Sequence, residues 1–438
     1  MGGIMTYKET LDYLYKCTPA FHQVGTFAYK PGLERSIALD REMGMPHRTY
    51  RAIHIAGTNG KGSVAHLLAA ILRESKYKVG LYTSPHLVDF CERIRVNGKK
   101  IPEKYVVDFV ERYEFEIKSL NPSFFEITSS LAFEYFRHKK VDFAVIETGL
   151  GGRLDSTNII EPALSIITNV SMDHMQYLGN TLTQIASEKA GIIKQNTPVV
   201  IGEVKNEEIQ QIFLSKAKAV NAPIYFAEEE RTIYNAKLQS SGKWEYSTTD
   251  YGNFSGELGG LAQRQNTQTI LTALRILKQM RVKVTQKAVQ RAFEHVTELT
   301  GLMGRWQTLQ KSPLVICDTG HNIGAWEYLA KQLNERAKKH ANLRMIIGMV
   351  NDKDIDKVLS IMPKKALYYF TQASGERALS GRKMAEKALQ YQLEGNSYSN
   401  VAQAVKAALA DADPNDLIFI GGSTFVVGEA IPLFIETT

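Results

Sequence analysis

The stretch Gly57-Thr58-Asn59-Gly60-Lys61-Gly62-Ser63 decides how this chain is read. Before it, Arg51-Ala52-Ile53-His54-Ile55-Ala56 alternates like a strand. After it, Val64-Ala65-His66-Leu67-Leu68-Ala69-Ala70-Ile71-Leu72 places apolar residues at helical spacing. Strand, glycine-rich turn and helix together make the layout of a nucleotide phosphate site. The glycines let the backbone approach phosphate oxygens, and the free N–H groups at the helix start face the anion. Lys61 is placed to neutralise β/γ charge, and Ser63 to reach a phosphate or Mg²⁺. The spacing departs from the common G-x-x-x-x-G-K-[ST] pattern. Ile55 stands where its first glycine belongs, and Gly62 separates Lys61 from Ser63.

Outward from this turn the chain alternates. Candidate strands lie at 51–56, 79–83, 141–147, 163–169 and 198–202, with helical patterns at 62–75, 103–118, 126–138 and 181–190. Such alternation predicts a mainly parallel sheet with helices on both faces, whose ligands sit at the C-terminal strand edge. A polar, Ser/Thr/Tyr-rich segment at 224–257 reads as a small β excursion, and helices follow at 263–280 and 284–296. The segment Glu298 to Gly304 reads as a linker. Beyond it strands are expected at 313–317, 343–349, 366–370 and 417–421, and helices at 324–340, 353–361, 381–393 and 399–412. The fold class is therefore α/β: a P-loop-containing, mainly parallel sheet domain over 1–298, followed by a smaller Rossmann-like α/β domain over 299–438.

The 438 residues give ample core for two domains, and 44% hydrophobic with 23% charged residues is an ordinary globular composition. No apolar run approaches the length of a membrane span. The first ten residues lack the charged-then-apolar pattern of a signal peptide. Cys17, Cys91 and Cys317 are scattered, which suggests neither a disulfide framework nor a Cys-x-x-Cys metal site, so a reducing cytoplasm is the expected setting. The net charge of +7 suits anionic ligands. It does not single out nucleic acid, because Lys99-Lys100 and Lys139-Lys140 are short pairs rather than a dense basic block.

Several residues fall at the predicted strand ends. Val141 to Ile146 is a buried-strand pattern that ends in Glu147 and the glycine-rich run Thr148-Gly149-Leu150-Gly151-Gly152-Arg153-Leu154-Asp155. A carboxylate facing a phosphate loop is well placed for Mg²⁺; otherwise it is a solvated acid beginning a loop. His174, in Ser171-Met172-Asp173-His174-Met175, is either a ligand or a structural histidine. Ser84, before Pro85, is either functional or part of a simple turn. Thr181 and Gln184 offer a capping box for a helix whose apolar face is Leu182, Ile185 and Ala186. Lys189 continues that face, where it is either neutral or paired inside, or snorkels to water near the helix C-terminus. Asp318, after the strand Pro313 to Cys317, is placed for ribose hydroxyls or for a helix N-cap. Arg305 could swing towards a triphosphate if two domains close.

In order along the chain, these segments resemble the folylpolyglutamate synthase/dihydrofolate synthase family of the ATP-dependent Mur-ligase superfamily. The resemblance rests on Pro31-Gly32-Leu33-Glu34-Arg35, the glycine loop, Ser84-Pro85-His86-Leu87, Phe124-Phe125-Glu126, Glu147 to Asp155, Met172-Asp173-His174, Glu188-Lys189-Ala190-Gly191-Ile192-Ile193-Lys194, and Asp318 to Asn322. It implies ATP phosphates on Thr58, Asn59, Gly60, Lys61, Gly62 and Ser63, and Mg²⁺ on Ser84, Glu147 and His174. It also implies nucleotide contacts from Asn266, Arg305 and Asp318. Lys189 matches a lysine that is carbamylated in the family. Pterin contacts would come from Phe124, Phe125 and Glu126 and from Leu154, Asp155 and Ser156. Two wordings depart from the family's: Asp318-Thr319-Gly320-His321-Asn322 stands in place of Asp-Gly-Ala-His-Asn, and Met303-Gly304-Arg305-Trp306 in place of proline-glycine-arginine.

The function implied is an ATP-dependent ligase. It would add L-glutamate to dihydropteroate, to reduced folates, or to both, through an acyl phosphate, with Lys61, Lys189 and His174 as catalytic groups and Mg²⁺ as cofactor. Its partners would be these small molecules, with no nucleic acid or membrane, and family precedent favours a monomer. Two other readings share parts of the pattern. One is a Mur-type ligase for a different acid, as in cell-wall precursor synthesis. The other is a nucleotide-switched binding protein that ligates nothing.

Overall fold

The computed structural model describes residues 5–17, 30, 32–204, 206–351 and 354–435. Pro31, the first residue of one motif quoted above, lies outside them.

The first sheet contains β1 (Arg51–Ala56), β2 (Val79–Tyr82), β3 (Ile94–Val96), β4 (Lys99–Lys100), β5 (Phe143–Glu147), β6 (Leu164–Asn169), β7 (Val199–Glu203) and β8 (Ile224–Phe226), in the order β4-β3-β2-β5-β1-β6-β7-β8. All pairs from β2 to β8 are parallel; β3 and β4 form an antiparallel edge. Side chains alternate faces along each strand. Ile53, Ile55, Val145, Leu164 and Ile166 therefore join one core, beneath the helices Lys61–Glu74 and Gln263–Gln279. On the other face, Ala52, Tyr82, Ala144 and Ile146 join a core with the helix Phe124–Lys139, while Ile167, Val199 and Ile201 pack with the helices Leu182–Ala190 and Glu207–Ala219. With both faces covered, the central strands read as nearly continuous apolar runs.

The second sheet contains β12 (Gln307–Lys311), β13 (Leu314–Cys317), β14 (Leu343–Ile347), β15 (Leu367–Phe370), β16 (Gly395–Ser397) and β17 (Leu417–Gly421), in the order β12-β13-β17-β14-β15-β16. Only β12 runs antiparallel in this sheet. The same alternation splits its core, with Ile316, Met345, Phe370 and Phe419 on one face and Val315, Ile346, Tyr369 and Ile420 on the other. Among the described residues no helix is long and apolar enough to cross a membrane.

Several expectations need correction. The β excursion is shorter than 224–257. Ile224–Phe226 extends the first sheet by pairing with β7, and only β9 (Ile233–Leu238), β10 (Trp244–Thr248) and β11 (Gly252–Gly256) form the separate antiparallel sheet. The helix expected over 103–118 breaks at Tyr113 into Glu103–Arg112 and Glu114–Leu120. The helix Glu207–Ala219 was not anticipated, although the Asn206 side chain caps it by accepting from Ile209 N at 2.9 Å. The antiparallel edge strands of both sheets were also missed. A short helix, Val296–Thr300, occupies the first residues of the segment read as a linker.

Leu68, fully buried in the helix that follows the phosphate turn, tests this packing. Leu68→Ala is expected to lower unfolding free energy by about 2–5 kcal/mol, read from the urea midpoint, because little of the resulting void can collapse between helix and sheet.

Candidate active site

Because β5 and β6 flank β1, their C-terminal ends bring the loops at 57–60, 148–155 and 170–174 to one edge of the sheet. The turn after β1 is held in place there. Thr58 N and Asn59 N donate to the Asn169 backbone and side-chain oxygens at 3.1 and 2.9 Å, and Thr168 Oγ1 donates to Asn59 O at 2.6 Å. Gly60 caps the following helix with φ +84° and offers no side chain to its first N–H groups, which are left facing the cleft. A Cβ at Gly60 would sit 2.3 Å from Asn266 Oδ1, and one at Gly62 3.3 Å from Arg305 Nη2. The turn thus accepts close neighbours from two directions only because these positions are glycine. Lys61 folds back over it, donating to the carbonyls of Gly57 and Thr58 at 3.0 and 3.2 Å. Ser63 Oγ accepts from Gln263 Nε2 at 3.3 Å, and Gln263 Oε1 in turn accepts from Asn266 Nδ2 at 3.0 Å.

Two cavities of about 210 Å³ each open along this edge. The first is lined by Phe124, Phe125 and Glu126, by Leu154, Asp155 and Ser156, and by Arg93, Arg377 and Phe425. The second is lined by residues 57–63, Glu147, Lys189, Asn266, Arg305 and Asp318. Ser84, Pro85, Gly149, Leu150, His174, His321 and Thr424 line both, so the cavities share a wall. The structure therefore gathers every site residue expected from the sequence into one cleft.

Three carboxylates line it: Glu147, buried at the end of β5; Asp155, buried at the end of the loop that follows; and Asp318, half-buried just after β13. Desolvation pushes each one up from the usual carboxylate range. Their partners distinguish them. Asp155 accepts from Gly149 N and Leu150 N, both at 2.8 Å, and from Thr157 N and Oγ1. Asp318 accepts from Trp306 N and Gly320 N, both at 2.8 Å, and holds its own loop rather than capping a helix; Asn322 is the N-cap. Glu147 accepts a single hydrogen bond, from Ser84 N at 3.2 Å, and lies close enough to Lys61 and Arg305 for their charges to favour its ionised form. It is the least satisfied of the three. A carboxylate with a serine hydroxyl nearby is an oxygen-rich set that suits a hard cation such as Mg²⁺, which keeps few protein ligands. Among the described residues no group of three or more His, Cys, Asp or Glu is arranged to hold a metal; the expected set of Ser84, Glu147 and His174 contains two such residues.

Lys189 faces inward and is 2% exposed, which settles the alternatives left open by the sequence. Thr181 and Gln184 do form the capping box of its helix, and Glu188 points away to pair with Arg153 at 2.8 Å. Burial pushes the Lys189 amine down to about 7, and the charge of Lys61 adds to the shift. His174, in the left-handed region at φ 50°, takes its place on the shared wall, and its backbone N–H donates to Asp173 at 2.8 Å. Phe124 is fixed by stacking on Tyr15, with ring centroids 5.1 Å apart, and by the Arg93 guanidinium over its ring at 5.3 Å. Glu126 spends its carboxylate on its own helix cap at Ser123 N and on Arg35, 3.2 Å away.

Asn169, Asp173, Gln263, His321 and Asn322 carry hydrogen bonds in the cleft that the sequence reading assigned to none of them. Each sits within five residues of one that was singled out, and only the folded chain shows which way its side chain turns.

Comparison with known proteins places the chain. Residues 55–277 match the Mur ligase middle domain, and residues 304–424 match the Mur ligase glutamate ligase domain. A dihydrofolate synthase/folylpolyglutamate synthase of Bacillus subtilis is 32% identical over 92% of this chain and 95% of its own length. Escherichia coli FolC, solved in complex with DHPP and ADP, superposes with a TM-score of 0.83 at 29% identity, covering 99% of this chain and 98% of that one. The bifunctional folylpolyglutamate synthase/dihydrofolate synthase of Yersinia pestis, solved with AMPPNP and a Mn ion, gives 0.82 at 27% identity, covering 98% of each chain. With two Mur ligase domains in order and this likeness over nearly its whole length, the chain belongs to the folylpolyglutamate synthase/dihydrofolate synthase family.

Proposed function

We propose that this protein is an ATP-dependent ligase that joins L-glutamate to dihydropteroate and to reduced folates. The observation that carries this reading is the shared wall: a phosphate-loop cavity meets an aromatic-floored cavity at Ser84, Gly149 and His174. The acceptor carboxylate, entering from the Phe124 side, would meet the γ-phosphate there. A carboxylate oxygen attacks phosphorus as the bond to ADP breaks. The amine of glutamate then attacks the acyl carbon, phosphate leaves with the C–O bond electrons, and the amine loses its proton.

The residues act mainly by placement and charge. The first-turn N–H groups and Lys61 hold the triphosphate, and Arg305, beside Gly62, offsets the gathered negative charge. Asn266 and Asp318 fix the nucleotide. Phe124 and Phe125, with Leu154 to Ser156, form the bed for a flat ring system. Glu147, Ser84 and His174 would hold Mg²⁺, which when bound neutralises charge on the transferred phosphoryl group. Lys189 is proposed to be carbamylated: its neutral amine adds to CO₂, an N–C bond forms, one proton is released, and an anion replaces a neutral amine near the metal ligands.

The division into an ATP-binding unit over 1–298 and a ligase unit over 299–438 belongs to the same reading. Its support is that among the described residues no strand pairing joins the two large sheets and that the two domain matches fall on either side of the boundary. A monomeric, cytoplasmic protein acting on small molecules, without nucleic acid, completes it.

The deciding experiment measures ADP release with dihydropteroate and, separately, with tetrahydrofolate, each with and without L-glutamate. Release that needs both acceptor and glutamate is expected for each acceptor. Slow ATP hydrolysis indifferent to both would instead identify a nucleotide switch. Glu147→Gln keeps the shape but loses the charge, and should raise the Mg²⁺ concentration for half-maximal rate by about tenfold or more; an unchanged titration removes Glu147 from the metal's ligands. Lys189 is neutral above about pH 7 and cationic below it, so loss of activity in CO₂-free buffer should be reversed by bicarbonate faster at pH 8 than at pH 6. Lys189→Ala should lose most activity, with partial recovery from short carboxylic acids. A fully active Lys189→Ala variant would end the carbamate proposal.

A further inference from the structure

The helix Ile323–Ala337 belongs to the second lobe but lies along the first. Tyr328, Gln332 and Arg336, four residues apart on one face, bond in turn to the Glu203 carboxylate at 2.7 Å, to Leu261 N and Gly259 O at 2.8 and 2.7 Å, and to Ser240 O at 2.8 Å. At the N-terminal end of this polar row the contact reaches the phosphate turn itself. The Asn322 and Asn59 side-chain amides pair reciprocally: Asn59 Nδ2 donates to Asn322 Oδ1 at 2.9 Å, and Asn322 Nδ2 donates to Asn59 Oδ1 at 3.0 Å. Asn322 Nδ2 also donates to Asp173 Oδ2 at 2.9 Å, and Asn322 Oδ1 caps its helix by accepting from Ala325 N at 3.0 Å. Asn322 is 4% exposed and Asp173 7%, so the bond between them is shielded from water. The helix backbone also comes close to this side-chain cluster, since a Cβ at Gly324 would lie 2.7 Å from Ser171 Oγ.

We propose that Asn322 is a positioning residue for phosphoryl transfer: its amide ties the phosphate turn to the second lobe and so sets the closure of the cleft. This rests on the ligase reading above. One side chain does two separable jobs. Its oxygen caps a helix and accepts from Asn59 Nδ2, both of which aspartate does equally well. Its NH₂ group bonds to Asn59 Oδ1 and Asp173 Oδ2 across the lobes, which aspartate cannot do. Closure matters because Asp318 and His321 reach the cleft only from the second lobe, and a misplacement of about 1 Å costs on the order of a hundredfold in rate.

Asn322→Asp separates the two jobs. It keeps the cap, removes both NH₂ bonds and sets a carboxylate against Asp173. The melting temperature should stay within about 2 °C of wild type. The rate kcat should fall by about 10–100-fold, and KM for ATP should rise by less, since Lys61 and the first-turn N–H groups stay on the first lobe and only Arg305 and Asp318 are displaced from the nucleotide. Solution scattering should give a larger radius of gyration than wild type. Adding Asp173→Asn turns a donor back towards the new carboxylate, so the double variant should recover at least about tenfold of the lost kcat, as expected for residues coupled in one network. A kcat within twofold of wild type for Asn322→Asp would overturn the proposal. So would a double variant no more active than the single one, which keeps the test decisive if the single variant folds poorly. Wild type is measured alongside. If it ligates nothing, the proposed function fails by itself, and the tie between lobes then stands or falls on whether Asn322→Asp expands the molecule.

Discussion

Thr168 and Asn169, the last two residues of β6, grip the turn after β1 and deny it freedom to move. The grip works only because β6 lies directly beside β1 in parallel register, with Ile53 opposite Leu164 and Ala56 opposite Ile167. A slip of one residue would turn Thr168 to the other face of the sheet. The close approach of Asn266, the neighbourhood of Gly62 and Arg305, and the amide pair at Asn59 are all measured from a turn that cannot drift. The apolar packing of β1 and β6 therefore reaches the chemistry through a few hydrogen bonds to a short run of backbone.

Burial then sorts the charged groups of the cleft by how much they still need. Asp155 and Asp318 are surrounded by N–H donors, so their charge is used to hold loops. Glu147 and Lys189 are as deeply buried but have far fewer partners. An acid and an amine left short of partners in a low-dielectric site are costly to keep. Their cost would be offset if, as proposed above, one gains a cation and the other a covalent carboxylate.

Much of this arrangement was legible in the chain. The central strands were found because a parallel sheet covered on both faces leaves uninterrupted apolar runs, and the glycine turn was found because its spacing has a physical purpose. Strands β4 and β16 escaped because they are short, exposed edges with little apolar signal. The helix Glu207–Ala219 carries a sequence signal of its own, in the Asn206 cap and in Ile209, Phe213 and Ala217 at four-residue spacing. The direction of Lys189 was undecided because a lysine at the end of a short helix can turn either way, and only the packing of neighbouring elements settles it. Asn322, Asp173 and His321 could not be ranked from sequence at all, since their partners lie more than a hundred residues away or in the other lobe.

The second sheet keeps its order of assembly in its topology. Its last strand along the chain, β17, lies in the middle, between β13 and β14. A ribosome therefore delivers every strand of the first sheet long before the second can close, and the second stays split until residues 417–421 emerge. A product terminated short of residue 417 would carry a finished phosphate turn beside two unpaired strand edges. Such a fragment would look native in its first half and present a sticky, protease-sensitive second half to the cell's quality control.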